Sequence, residues 1–422
     1  MSQRSEILPN VFLRAEHCEK FKTGCFSVNL IRPLCAEEAA KNALLPSVLL
    51  RATQNYPNIR AISNRMDELY GATIGTLVRK KGEVQAFGFY ADFLEDAFAP
   101  DGTPILRAMV DFLREVLLAP KLEDGVFCAD AVEGEKQNLI HAIEAARNDK
   151  RSYAAMRLTQ AMCADERYSV PRLGTAEQVT RITNESLFDW YGRVLRQSRV
   201  EIFYLGRADE TEITALFRKA LSALLRGEVT AAQTQRESAP RAVQELSEQM
   251  DVQQAKLAMG FRTDCCVEDA DYPALTLANT VFGGGVSSKL FANVREKLSL
   301  CYYASSSLEK FKGLMIVSSG IQTENYEVAK REILHQLDDC RAGKISDEEL
   351  ENARTLLLSG WKACLDSPGR IEDYYMGQAM SSDTRTIEEM MRSLKAVTRE
   401  EVAQAAGKLR LDTIFFLKGA AQ

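Results

Sequence analysis

The chain has 422 residues, too many for one ordinary hydrophobic core and enough for two domains of about 200 residues each. Its composition, 46% hydrophobic and 27% charged, is that of a folded, soluble protein, and 59 acidic against 53 basic residues leave no positive field to hold a polyanion, which excludes nucleic acid as a partner class. The opening MSQRSEILPNVFLRAEHCEK lacks the apolar core of a signal peptide, and no window offers the roughly 18 apolar residues of a membrane-spanning helix, so a cytoplasmic protein is expected.

In chain order, KTGCFSVNLIRP reads as a strand and KNALLPSVLLRAT as a helix, which leads through NYPN to a second helix ending at MDELYGA. TIGTLVRKKGEVQAFGFYAD follows as a hairpin turning at the charged KKGE, and PILRAMVDFLREVLL and SLFDWYGRVLRQ carry helical apolar stripes before the strand RVEIFYLG. Apolar periodicity then disappears over 226–244, RGEVTAAQTQRESAPRAVQ, which reads as a linker between domains 1–225 and 245–422. In the second half YPALTLANTVFGGG leads to SSKLFANVREK, then to a hairpin turning at KFKG, the helix YEVAKREILHQL and the closing strand DTIFFLKG. The same order in both halves marks diverged copies of one unit. Strands joined by short polar turns imply an α+β fold, each domain an antiparallel-rich sheet with helices packed on one face.

The candidate chemistry narrows by elimination. Ten cysteines form no C-x-x-C pair and read as reduced, mostly buried thiols. His17, His141 and His335 are the complete set, so neither H-E-x-x-H nor H-x-x-E-H exists anywhere in the chain. The triplet Gly283, Gly284 and Gly285 fits neither the P-loop nor G-x-G-x-x-G, and reads as a turn before a helix begun by Val286, Ser287 or Ser288. Arg295 and Tyr302 stand seven apart. Such a spacing fits a solvated Arg and a packed Tyr, yet a guanidinium and a phenol also suit a carbonyl that becomes an oxyanion.

Over 283–303, GGGVSSKLFANVREKLSLCYY resembles the C-terminal-domain signature of the pitrilysin/insulinase class of zinc metallopeptidases, which includes the mitochondrial processing peptidase. RLGTAEQVTRITNESLFDWYGRVL, 172–195, looks like the first-domain segment of that class in which Gly-Thr precedes two helices. The resemblance spans nearly the whole chain and implies duplicated domains of the LuxS/mitochondrial processing peptidase type. Active members carry H-x-x-E-H on a helix, with a further Glu ligand farther along. Matching NALLPSVLLRAT to that helix puts Ala43, Pro46 and Ser47 at the His, Glu and His positions, Glu135 at the accessory Glu and Ala142 at the third ligand.

The resemblance therefore implies no metal site in this chain and no peptidase activity of the chain alone. Arg295 and Tyr302 match the pair that binds the substrate carbonyl, which in two-chain members is brought by the subunit without zinc. The expected role is the non-catalytic subunit of a heterodimeric zinc endopeptidase, acting on a peptide with an H-x-x-E-H partner that holds the zinc. The chain is also similar to bacterial inactive peptidase proteins connected with elongation factor P modification. The alternatives are a peptide-binding or scaffold protein, a homodimer for instance, in which Arg295 and Tyr302 are structural, and an independent hydrolase using Ser287 or a cysteine, which lacks a convincing neighbouring base.

Overall fold

The computed structural model describes residues 4–237 and 242–419, so the expected linker falls partly, at 238–241, outside the described residues. The earlier elements are β1 (Ser5–Leu8), β2 (Val11–His17), β3 (Thr23–Pro33), α1 (Ala36–Leu49), α2 (Ile59–Glu68), β4 (Thr73–Lys81), β5 (Val84–Leu94), α3 (Ile105–Leu118), β6 (Leu122–Glu123), β7 (Val126–Phe127), α4 (Ala129–Ala145), α5 (Lys150–Met162), α6 (Ala176–Thr180), α7 (Asn184–Gln197), β8 (Arg199–Gly206) and α8 (Glu210–Ala220). The later ones are β9 (Gln244–Gln249), β10 (Ala255–Arg262), α9 (Tyr272–Gly283), a π-helix (Leu290–Lys297), β11 (Cys301–Glu309), β12 (Leu314–Ile321), α10 (Tyr326–Arg341), α11 (Asp347–Cys364), α12 (Pro368–Ala379), α13 (Ile387–Ala396), α14 (Arg399–Lys408) and β13 (Arg410–Lys418).

Packing divides the chain into two compact units. The first holds 1–144, 170–233 and 367–380, and the second 145–169, 234–366 and 381–422. The first unit is built on a sheet of order β1-β2-β8-β3-β5-β4, antiparallel except where β2 runs parallel to β8. β3 and β5 lie inside it and are buried along nearly their whole length, which explains their long apolar runs, while the edge strand β4 mixes exposed and half-buried residues. On one face α1, α3, α7 and α8 bury a core that includes Leu44, Met109, Phe112, Trp190 and Phe217. In α3 the spacing of Ile105, Met109, Phe112, Leu113 and Val116 puts all five on one stripe, each worth roughly 1.5–3 kcal/mol on burial.

The second unit repeats the plan with five strands, lacking a counterpart of β1 among the described residues. Its sheet runs β11-β12-β10-β13-β9, and the parallel pair β13/β9 stands where the first unit has β8/β2. The hairpins match as well, β4/β5 turning at Gly82 with φ 58° and β11/β12 at Gly313 with φ 72°. Each unit also carries a helix on the opposite face of its sheet, a feature absent from the sequence reading. In the first unit α12 lies there, with Tyr375 stacked on Phe203 at 6.0 Å, and in the second α5 sets Tyr153 and Leu158 against Ala258, Ile316 and Phe415. Gly260 of β10 makes room for α5, because a Cβ there would stand 2.6 Å from the Met162 sulfur.

A buried charge network anchors the end of α5. The Arg262 guanidinium donates to Asp412 at 2.9 Å and to Glu166 at 2.7 Å, and the fully buried Lys312 holds the other Glu166 oxygen at 2.5 Å. Burial pushes the Glu166 pKa up, but Arg262 and Lys312 outweigh it and hold the carboxyl below the ordinary 4.5. A depressed folded pKa means that this stabilisation is complete above the unfolded value and lost as pH falls through the folded one. Acid unfolding of the second unit should therefore show a proton-linked loss of stability below about pH 4.5, and Glu166→Gln should flatten that slope in urea titrations at stepped pH.

Candidate functional site

The residues at the metal-binding positions of the resemblance lie on α1 and α4 of the first unit. α1 is buried nearly all round, which is why its sequence is apolar rather than amphipathic. Ala43 is 4% exposed, Pro46 is buried and Ser47 half-buried. Pro46 has no N–H to donate to the Asn42 carbonyl one turn back, and the helix tolerates it while the Asn42 side chain is tied to Gln85 and Trp190, each at 2.9 Å. On α4, Ala142 is exposed and Glu135 half-buried. The structure brings Glu135 against Arg51, just past the end of α1, at 3.1 Å. A methyl, a pyrrolidine, a hydroxymethyl and a second methyl supply neither imidazole nor carboxylate, and a guanidinium neutralises the one acid present. These side chains do not fit the family's zinc.

Arg295 and Tyr302 are brought together in the second unit. α9 ends at Gly283, where a Cβ would meet the Ser306 backbone nitrogen of β11 at 2.7 Å, and a Cβ on Gly284 would meet Thr280 Cα at the same distance. The triplet is thus a close approach of helix end to strand. Of the expected helix starts, Val286 is 77% exposed in the loop and Ser288 opens the helix, its hydroxyl accepting from the Phe291 N–H at 3.4 Å and its carbonyl from the Ala292 N–H at 2.9 Å; the π-helix follows from Leu290. Burial of Leu290 and Val294 and a 2.7 Å bond from Asn293 to Gln336 fasten it. Its wide turns close with the Leu298 N–H donating to the Asn293 carbonyl at 3.1 Å.

Ser299, at φ 51°, then reverses the chain into β11, the edge strand of its sheet. The pairing of β11 with β12 shifts between Cys301 and Tyr303, so Tyr302 is the bulged residue, and its side chain is 65% exposed. A bulge on an edge strand re-aims one side chain without disturbing its neighbours. The next residue, Tyr303, instead packs beneath the Arg151 guanidinium at 4.5 Å. Arg295 stacks over Phe291 at 4.6 Å, its Nε 3.5 Å from Glu296, and it shares with Tyr302 an open cleft of about 420 Å³ whose wall also includes Ser299 and Gln322. The cleft thus presents a half-exposed guanidinium and a phenol, donors suited to a carbonyl oxygen.

Other chemistry-bearing groups are accounted for by packing. All ten cysteines are free and seven are buried. His17, His141 and His335 lie exposed, the first beside Glu19 and the last beside Asp339. The Cys265 sulfur and the carboxylates of Asp269 and Asp271 gather within 4.8 Å, a group the sequence reading missed because only the turn before α9 brings them together. Their electron pairs are committed: Asp269 accepts from the Cys266 N–H at 2.7 Å and pairs with Arg236, while Asp271 pairs with Lys408 and accepts from the Cys265 thiol. Burial pushes the Cys265 thiol well above its ordinary range, so the group acts as a hydrogen-bonded turn.

Two copies of one α+β unit, the second carrying an Arg/Tyr cleft, define a metallopeptidase-like architecture. Residues 181–357 match the family described as Peptidase M16 inactive domain. Along its length the chain is 34% identical over 403 residues to the "Probable inactive metalloprotease YmfF" of Bacillus subtilis (strain 168), covering 95% of this chain and 94% of that protein. The crystal structure of a conserved protein from Enterococcus faecalis V583 superposes with a TM-score of 0.93 at 34% identity, covering 100% of this chain and 99% of that one. A peptidase M16 inactive domain from Pseudomonas fluorescens, 18% identical, shares the fold with a TM-score of 0.82 over 100% of this chain and 98% of its own. The chain belongs to the pitrilysin-type M16 peptidase family, as an inactive homologue.

Proposed function

We propose that this protein is the non-catalytic subunit of a heterodimeric, cytoplasmic zinc endopeptidase. The observation that carries this reading is the cleft that Arg295 and Tyr302 share, in a chain with Ala43, Pro46, Ser47 and Ala142 where the resemblance would place metal-binding residues. A peptidase M16 partner with an intact H-x-x-E-H would hold the zinc. Arg295 and the Tyr302 hydroxyl would donate to the scissile carbonyl of an extended peptide, and their hydrogen bonds would strengthen as that oxygen gains negative charge. The peptide itself would be held by strand addition to a sheet edge, which reads backbone more than side chains.

The test is a reconstituted pair assayed on a peptide substrate. Arg295→Ala or Tyr302→Phe should lower turnover about tenfold or more with the circular dichroism of the chain unchanged. Undiminished turnover would remove the shared-site reading. Co-purification that returns this chain alone would favour a scaffold instead.

A further inference from the structure

The bulge at Tyr302 is pinned from both faces of its sheet. Cys301 is buried in the core of the second unit together with Ala304, three residues on, although regular alternation would put those two on opposite faces. Tyr302 is the extra residue that reconciles them, since the ladder with β12 shifts between Cys301 and Tyr303. Tyr303 is thereby turned to the other face, where it meets α5.

Tyr303 is held from several sides. It stands opposite Gly320 of β12 and its ring lies over that glycine, because a Cβ on Gly320 would stand 2.5 Å from Tyr303 Cε1. The φ of Gly320 is not in the positive region, so what this glycine supplies is a slot for the ring. The Arg151 guanidinium of α5 covers the ring at 4.5 Å and donates to the Ser305 hydroxyl, two residues along the same face, at 2.7 Å. The Tyr303 carbonyl accepts from the Ser319 hydroxyl at 3.0 Å. The Tyr303 hydroxyl is buried and makes no hydrogen bond among the described residues, so the anchor uses the ring and not the phenol.

Two consecutive tyrosines thus compete for one slot. We propose that Tyr303 is the positioning residue of the cleft: by filling the slot over Gly320 it keeps Tyr302 out of the sheet, in the cleft that Tyr302 shares with Arg295. With the slot empty, a slip of the ladder by one residue lays the Tyr302 ring over Gly320 and removes the bulge. That orientation is a property of this chain by itself, while its effect on turnover rests on the shared-site reading of Arg295 and Tyr302.

Fluorine NMR of the full-length chain, with meta-fluorotyrosine at its 13 tyrosines, tests the assignment. The signal lost in Tyr302→Phe belongs to Tyr302, and its broadening by a soluble paramagnetic agent reports exposure. Tyr303→Phe keeps the ring and should leave that signal and its broadening as in the parent chain. Tyr303→Val suits a strand but empties the slot, and the Tyr302 signal should then move and lose most of its broadening. Gly320→Ala keeps both tyrosines and evicts the ring, so it should move the Tyr302 signal as well, and it decides the matter if Tyr303→Val does not fold. In the reconstituted pair Tyr303→Val should lower turnover about tenfold, with the double variant Tyr303→Val and Tyr302→Phe no lower than Tyr302→Phe alone, while Tyr303→Phe keeps parent turnover. A Tyr302 signal unmoved and equally exposed in both slot variants would overturn the proposal, as would full turnover in a folded Tyr303→Val beside a slowed Tyr302→Phe. Undiminished turnover in Tyr302→Phe would instead remove the shared-site reading and leave the NMR result standing.

Discussion

Glu372→Ala should destabilise the first unit by about 3–5 kcal/mol, the range expected when one partner of a buried ion pair is removed. Glu372 is fully buried, and the period-2 alternation of β3 explains what it meets: Phe26, Val28 and Leu30 face the helical core, and Ser27 and Asn29 face α12. The Ser27 hydroxyl donates to Glu372 at 2.6 Å, and the Arg79 guanidinium grips both its oxygens, at 2.8 and 2.7 Å. Without the carboxylate, Arg79, whose side chain is only 18% exposed, keeps a positive charge with little water to solvate it and only Asp373, at 3.7 Å, as an ion-pair partner among the described residues. Pairing Arg79→Met with Glu372→Leu should recover most of the loss, because it removes the stranded charge instead of exposing it. The chain has two tryptophans, Trp190 in the first unit and Trp361 in the second, so a Trp361→Phe background leaves buried Trp190 to report unfolding of the first unit in urea. A loss below about 1 kcal/mol would mean that the Arg79–Glu372 pair adds little to the packing and to the Lys81–Asp373 ion pair that also hold α12.

The second large effect is expected at Gly88. It sits inside β5 at φ 154°, and a Cβ there would lie 2.0 Å from the Val28 carbonyl oxygen of β3. That oxygen belongs to a strand paired on both sides, with β5 and with β8, and cannot swing away as a side chain would. Gly88→Ala should therefore cost about 3 kcal/mol or more from backbone strain and overlap together, read by the same Trp190 signal. Gly75→Ala on the edge strand β4 is the control: a Cβ there meets nothing within 4 Å, and the change should be neutral or mildly stabilising.

Much of the fold was legible because its signals are local. Helical stripes, the two charged hairpin turns and the repeated order of elements are written within short windows, and the units reproduce that order. The M16 family assignment was legible too, carried by the segment around Arg295 and Tyr302, which the family match at 181–357 includes. Less legible was the geometry that makes Tyr302 accessible. Alternation along CYYASSSLE cannot say where the ladder slips, because a bulge is defined by the partner strand. The π-helix was equally hidden, since LFANVREK has an ordinary helical pattern and the widened turn is fixed by where Leu290 and Val294 must be buried.

What the sequence determined by itself is which side chains stand at the positions the resemblance singles out. No fold can make a metal ligand of Ala43, Pro46 or Ala142, since coordination needs atoms these side chains do not have. What only the tertiary structure decided is the allocation of surfaces. The apolar stripe of α5 and the mixed face of α12 announce that each helix is buried but not against which sheet. That choice rests on non-local contacts such as Leu158 with Ala258 and Glu372 with Arg79, between residues far apart in the chain. Hydrophobic burial is non-directional, so a stripe specifies how much surface must leave water, and only the complementary shape and charge of a distant partner specify where.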